Sequence, residues 1–188
     1  MQIVLTENCT ADGVIDMAAG WFDPADQTDD HLVAVTQAHM AEQDALLLGR
    51  STFEAFRSYW PIQSDDTTGI TAHLNRVQKF VLSTTLHDPG WEPTTVLRDL
   101  DEVQALRDQP GRLGVTGSIS VAQQLVAADL VDEYRLFVYP VLVGAGAGVL
   151  ASARRLDLDL VEATQFPSGV TGSPYPSGTR RRRRARHG

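Results

Sequence analysis

The chain has 188 residues, of which 43% are hydrophobic and 21% charged. That composition sets the expectation of one globular domain with a sizeable core and excludes a disordered chain. The 24 acidic residues all precede position 163, so residues 1–179 carry 10 basic groups and a net charge of −14, while residues 180–188 add six arginines.

A body this acidic repels a nucleic-acid backbone, so no nucleic-acid partner is expected for it. Any arginine it keeps in a pocket becomes a candidate anion ligand. No apolar run approaches the roughly 20 residues of a membrane helix. No basic stretch followed by an apolar one opens the chain, so neither a membrane span nor a signal peptide is expected. A single cysteine, Cys9, cannot form an internal disulfide, which fits a cytoplasmic location. Five scattered histidines give no zinc spacing, so no metal is expected.

In chain order, residues 2–6 predict a first strand, followed by a loop with Asp12-Gly13. Asp29 or Asp30 caps a helix running to about Glu42. Ala45 to Leu48 is a short apolar run that suits a buried strand. Gly49-Arg50-Ser51-Thr52 then opens a helix that Pro61 ends. A short helix over 71–76 precedes a strand over 79–82; Val96-Leu97 and 113–115 predict two more strands. Gly117-Ser118 introduces a helix to about Ala128, and Tyr134 to Tyr139 is a strand. Residues 156–165 alternate apolar and acidic side chains, as a half-exposed antiparallel strand does. Alternating strands and helices predict a three-layer α/β/α fold with a mixed, mostly parallel sheet. Residues 171–188, rich in Pro, Gly, Ser and then Arg, predict a disordered tail beyond a domain of residues 1–170.

Three segments share one design, an apolar strand ending at a small or hydroxyl residue. They end at Gly49-Arg50-Ser51-Thr52, Ser83-Thr84 and Thr116-Gly117-Ser118. In a parallel sheet such ends collect at the carboxyl edge, where α/β sheets bind ligands and helix N-termini offer unpaired N–H groups to phosphate. With Arg50 as a fixed cation, the set suits a phosphorylated dinucleotide. Each piece taken singly is equally at home as a helix cap.

Leu47-Leu48-Gly49-Arg50-Ser51-Thr52-Phe53-Glu54 resembles the cofactor segment of the dihydrofolate reductase superfamily. Gly117-Ser118, the run from Leu125 through Asp132-Glu133-Tyr134-Arg135-Leu136, and Val138-Tyr139-Pro140 to Gly146 resemble the reductase domain of the riboflavin-biosynthesis deaminase–reductase. Asp12-Gly13 and Tyr59-Trp60-Pro61 match standalone members of that family. The resemblance implies a sheet of about eight strands and a reductase using NADPH. Gly49, Arg50, Ser51 and Thr52 would then hold the adenosine-side phosphates, with Ser83 and Thr84 flanking the adenosine. Thr116, Gly117, Ser118 and Ile119 would run along the pyrophosphate toward the nicotinamide. Asp12 would bind a polar substrate or assist protonation, with Gly13 and Trp60 beside the substrate. The resemblance also implies a homodimer, for which the apolar segment from Val138 to Leu150 is the expected contact.

Two departures bear on the substrate. Folate reductases place an acid in the helix before the Gly-Arg-Ser-Thr segment, and that spacing lands here near Leu32 and Val33. After Gly146, where the family has a basic-Leu-Phe segment, this chain reads Ala147-Gly148-Val149-Leu150-Ala151. The resemblance implies, as the expected activity, reduction of a small polar substrate of the 5-amino-6-(5-phosphoribosylamino)uracil type. Dihydrofolate or pterin reduction, and a non-catalytic nucleotide-binding module, are the alternatives.

Overall fold

The computed structural model describes residues 1–23, 28–149 and 155–176. Eight strands form one sheet in the order β4-β3-β2-β5-β1-β6-β8-β7. They are β1 (Gln2–Thr10), β2 (Ala45–Gly49), β3 (Gln78–Leu82), β4 (Thr94–Leu97), β5 (Arg112–Val115), β6 (Glu133–Tyr139), β7 (Thr164–Gln165) and β8 (Thr171–Pro176). Strands β4, β3, β2, β5, β1 and β6 pair in parallel, while β8 runs antiparallel to both β6 and β7. The helices are α1 (Asp30–Ala41), α2 (Arg50–Tyr59), α3 (Ile70–Arg76), α4 (Leu100–Ala105) and α5 (Ile119–Ala127).

Strand β2 explains the three layers. All five of its residues are buried, so its side chains feed a core on each face of the sheet. Ala45 and Leu47 join Ile3, Leu5, Leu113 and Val115 against Val121, Ala122, Leu125 and Val126 of α5 and Val103 of α4. Leu46 and Leu48 join Val81 on the other side, against Phe53 of α2, Leu74 of α3, Trp60 and Trp91. A smaller cluster packs Leu32 of α1 on Phe137, Phe166 and Val170.

Asp29 caps α1 as expected, accepting the amides of His31 and Leu32, both at 3.1 Å. Its other oxygen accepts the Ser168 amide at 2.8 Å, so the cap also fastens the β7–β8 turn to α1.

Three expectations need correction. Strand β1 runs four residues past its expected end at residue 6, so Cys9 lies inside the strand and is buried. The alternating stretch 156–165 contributes only Thr164–Gln165 as a named strand, because the ladder it would extend is held instead by residues 171–176. Those residues, expected to be disordered, pair with β6 from Thr171↔Val138 to Pro176↔Glu133. Their composition suits the place. Gly172 leaves room for the Phe137 and Phe166 rings, which an added Cβ would meet at about 3.0 Å or less. The outer partner β7 ends at Gly172, so Pro174 and Pro176 sit where a missing N–H costs no outer ladder bond. The sheet therefore extends to Pro176, and the arginine run at 180–186 lies outside the described residues. Among the described residues no helix is long and apolar enough to cross a membrane.

Candidate active site

Because β3, β2 and β5 are parallel neighbours, their carboxyl ends lie side by side. The loops that leave them wall a cleft of about 620 Å³. Gly49, Arg50, Ser51, Thr52, Ser83, Thr84, Gly117, Ser118 and Ile119 all line it. Nine of the ten residues assigned to the cofactor from sequence thus share one cleft, and Thr116 borders the adjoining cavity.

Hydrogen bonds lock the loops together. The Gly49 amide donates to Ser118 Oγ at 2.9 Å, and Thr52 Oγ1 donates to the Gly117 carbonyl at 3.2 Å. Gly117 takes φ +65°, which turns the chain from β5 into α5 and suits glycine. A Cβ on Gly49 would sit 3.1 Å from Val121 Cγ2, so this approach of the end of β2 to α5 needs a small residue. Ser83 Oγ accepts the amides of Thr85 and Leu86 at 3.2 and 3.0 Å, closing the turn after β3.

Arg50 stands at the first position of α2, half exposed, with its guanidinium 3.7 Å from Glu54. Such a loose exposed pair is worth little and leaves Arg50 available to an anion. Arg98 is a second cation of the cleft that the sequence reading missed. It donates to the carbonyls of Ser83 and Leu86 at 2.8 and 2.9 Å and so shapes the Ser83–Leu86 turn. Its position just after β4, the strand beside β3, is the signal that would have found it.

A second cavity of about 190 Å³ opens on the other side of Gly117, which lines both spaces. Its walls are mostly apolar or aromatic, with Phe22, Phe56, Trp60, Phe137 and Tyr139 around it. Trp60 is buried there. Leu32 and Val33 of α1 also line it, and α1 brings no acid to this wall.

The acid comes instead from β1. Glu7 lines the cavity and is only 4% exposed. Burial pushes its carboxyl up to about 8, opposed in part by a hydrogen bond from the Gly117 amide. Its Oε1 is buried without a hydrogen-bond partner among the described residues. Sequence reading missed Glu7 because a lone acid at the end of a strand looks like an outward-facing residue. His73 faces the same cavity, 3.1 Å from Gln43 Oε1, and burial pushes it down to about 4, so it is neutral at physiological pH. His39 Nδ1 is a further buried atom without a partner among the described residues.

Asp12 and Gly13 line neither cavity. The Asp12 carboxylate accepts from Thr10 Oγ1 at 2.5 Å and from the Gly144 amide at 2.7 Å. The Thr10 hydroxyl above all, then the Gly144 amide, holds it below the usual carboxylate range. With the Val143 amide at 3.3 Å, these bonds brace the 143–144 segment. Among the described residues no group of three or more His, Cys, Asp or Glu side chains could hold a metal ion.

The sheet order, the helices on both of its faces and the cleft define a dihydrofolate reductase-like fold. The match to the RibD C-terminal domain family runs over residues 1–171, and the chain belongs to that family. A curated relative, the uncharacterized protein YyaP of Bacillus subtilis (strain 168), is 28% identical over 137 residues, 70% of this chain and 73% of YyaP. The fold is shared with a putative riboflavin biosynthesis protein from Shewanella sp. PV-4, at TM-score 0.67 and 20% identity over 94% of this chain and 99% of that one. It is also shared with a dihydrofolate reductase from Enterococcus faecalis complexed with NADP(H), at TM-score 0.64 and 15% identity over 94% of this chain and 96% of the other.

Proposed function

We propose that the protein is an NADPH-dependent reductase that transfers hydride to a polarised C=N or C=O group of a small ring substrate. The observation that carries this reading is that Gly117 lines both cavities. A long ligand in the larger cleft would present its end to a compact ligand in the smaller one. The larger cleft suits NADPH: two helix N-termini, hydroxyls at Ser51, Thr52 and Ser83, and the Arg50 cation converge on it. Arg50, Ser51 and Thr52 would hold the adenosine-side phosphates, Ser83 and Thr84 the adenosine, and Thr116 to Ile119 the pyrophosphate and nicotinamide end. NADPH, when bound, supplies the hydride; the chain supplies orientation and a dry pocket.

Family membership supports a substrate of the aminouracil ribosyl-phosphate type, and the fold shared with a dihydrofolate reductase makes a dihydropterin the second candidate. We expect a cytoplasmic homodimer, with the exposed Leu142 in its contact. The test is a fluorescence titration with NADPH, followed by NADPH oxidation against a panel of aminouracils, pterins and cyclic imines. Saturable binding with turnover of a panel member is the expected result. Absence of NADPH binding at millimolar concentration overturns the reading, and binding without any turnover favours a non-catalytic nucleotide-binding module.

A further inference from the structure

The smaller cavity combines three features that general folding economy disfavours together. It is walled by apolar and aromatic side chains, it holds a carboxyl group, and one oxygen of that carboxyl has no hydrogen-bond partner among the described residues. Buried polar groups are nearly always paired, so an orphaned one beside a cavity marks the place where a ligand completes it. We propose that this cavity binds an uncharged, ring-sized heterocycle, with the Glu7 carboxyl donating a hydrogen bond to the ring's carbonyl or imine acceptor. The assignment deepens the reductase reading and rests on it for the step that follows binding.

The size fits the class. A dry cavity of about 150 Å³ accepts benzene, and this one is about 190 Å³. The ring faces would lie against the aromatic walls of Phe56, Trp60, Phe137 and Tyr139. The polarity fits as well. One Glu7 oxygen is engaged by the Gly117 amide, so the other is left to carry the hydrogen when the group is un-ionised. An un-ionised acid here is a donor, and the complementary ligand atom is an acceptor. A hydrogen bond to a C=O or C=N acceptor also draws electron density from its carbon, the atom that a hydride would attack.

The other titratable groups near Glu7 are known. Cys9, two residues along β1, is pushed up to about 11 by burial and by Glu7. His39 of α1 and His73 of α3 line the cavity, and burial lowers both, so neither is charged at mildly alkaline pH. Tyr139 of β6 completes the set that lines the space. Lys79, pushed down to about 8, bonds the carbonyls of Leu74 and Val77 and does not line the cavity.

The test is calorimetric titration of the full chain with 2-pyridone and cytosine as uncharged acceptors and cytidine 5′-monophosphate as the phosphorylated counterpart. Wild type is expected to bind the two uncharged probes and to lose roughly tenfold in affinity between about pH 7 and about pH 9, as Glu7 ionises. Glu7→Gln keeps a donor and an acceptor, so it is expected to bind within threefold of wild type at neutral pH and without the alkaline loss. Glu7→Leu is expected to bind at least tenfold more weakly. The assignment is overturned if Glu7→Leu binds as wild type does, or if Glu7→Gln loses as much as Glu7→Leu, which would make a charged carboxylate the ligand group. It is equally overturned if only the phosphorylated probe binds, or if no probe binds. NADPH is titrated separately: its failure beside probe binding undoes the cofactor reading and leaves the assignment of Glu7 standing.

Discussion

Ser118 stands at the N-cap of α5, yet its hydroxyl serves another helix: it accepts the Gly49 amide, 2.9 Å away and 69 residues earlier in the chain. A serine at an N-cap ordinarily turns back on its own helix. Here that bond is given up, and the start of α2 is tied to the start of α5 across the cleft. Ser118→Ala leaves a buried amide unpaired, which costs about 1–3 kcal/mol. Thermal unfolding should show a drop of roughly 3–10 °C, with weaker NADPH binding because the two helix ends lose their register. An unchanged melting temperature would show that the bond adds nothing to the cleft.

Gly117 tests the backbone alone. Its φ is +65°, and an added Cβ would meet only Thr52 Cγ2, at an ordinary 3.6 Å. Gly117→Ala should therefore cost about 1–2 kcal/mol from the left-handed conformation, with no steric surcharge. Because Gly117 lines both cavities and its amide bonds Glu7, both NADPH and probe affinities should fall. Denaturant unfolding and the two titrations measure these effects separately.

Arg50 is half exposed at the start of α2, and its pairing with Glu54 is loose. The acidic body opposes an anionic cofactor, so a local cation carries much of the recognition. Arg50→Ala should weaken NADPH by about tenfold to a hundredfold, using roughly 1.5–3 kcal/mol for a charge-assisted bond. NADH lacks the 2′-phosphate and should lose far less. The ratio of NADPH to NADH affinity is the measurement. An equal loss for both cofactors would assign Arg50 to the pyrophosphate, and no loss for either would leave it a surface residue.

The larger cleft was legible in the sequence because helix starts announce themselves: glycine and hydroxyl residues follow an apolar strand at Gly49 and Gly117, with Arg50 beside the first. The sheet was legible from β2, whose unbroken apolar run means burial on both faces. What stayed hidden depends on long-range pairing. Pro174 and Pro176 argue locally against a strand, and only the late start of β7 at Thr164, opposite Gly172, makes them tolerable. Glu7 sits amid Thr6, Asn8 and Cys9, a polar run that gives no sign of burial. Its environment comes from Gly117, 110 residues away. Asp12 is the opposite case: its Asp-Gly pair is conspicuous in the sequence, yet its carboxylate holds Thr10 and Gly144 and lines neither cavity.

Two buried groups give stability opposite pH dependences. Glu7 is raised from 4.5 to about 8, so the folded state holds its proton more tightly than the unfolded one. Its contribution is full below about pH 4.5 and is lost as pH rises through about 8. His73 is lowered from 6.5 to about 4, so its contribution is full above about pH 6.5 and is lost as pH falls through about 4. Wild type should therefore lose several degrees of melting temperature relative to Glu7→Gln between roughly pH 5 and 8. Parallel melting curves for the two proteins over that range would show that Glu7 is not buried in its neutral form.

Lys79, the chain's one lysine, is fully buried in β3. Its Nζ donates to the carbonyls of Leu74 and Val77 at 2.8 and 3.1 Å and lies 4.6 Å from the centre of the Trp91 ring. Leu74 and Val77 belong to the end of α3, where carbonyls lack helical partners and the helix dipole favours a cation. Lys79 is thus a helix C-cap delivered from a neighbouring strand. Burial pushes it from 10.5 down to about 8, which means the site resists the charge it holds at neutral pH. Lys79→Met keeps the stem and removes the head. It relieves the burial of a charge but orphans two carbonyls and the ring contact, and the second effect should win by about 1–3 kcal/mol at neutral pH. The linkage sign sets a second expectation. Between about pH 8 and 10.5 the unfolded state holds the lysine proton and the folded state has released it, so wild type gains stability over the variant as pH rises through that window. Denaturant midpoints at about pH 7 and about pH 10 measure both effects, and a gap that closes at the higher pH would contradict the buried placement. NADPH affinity should stay within threefold, since Lys79 does not line the larger cleft.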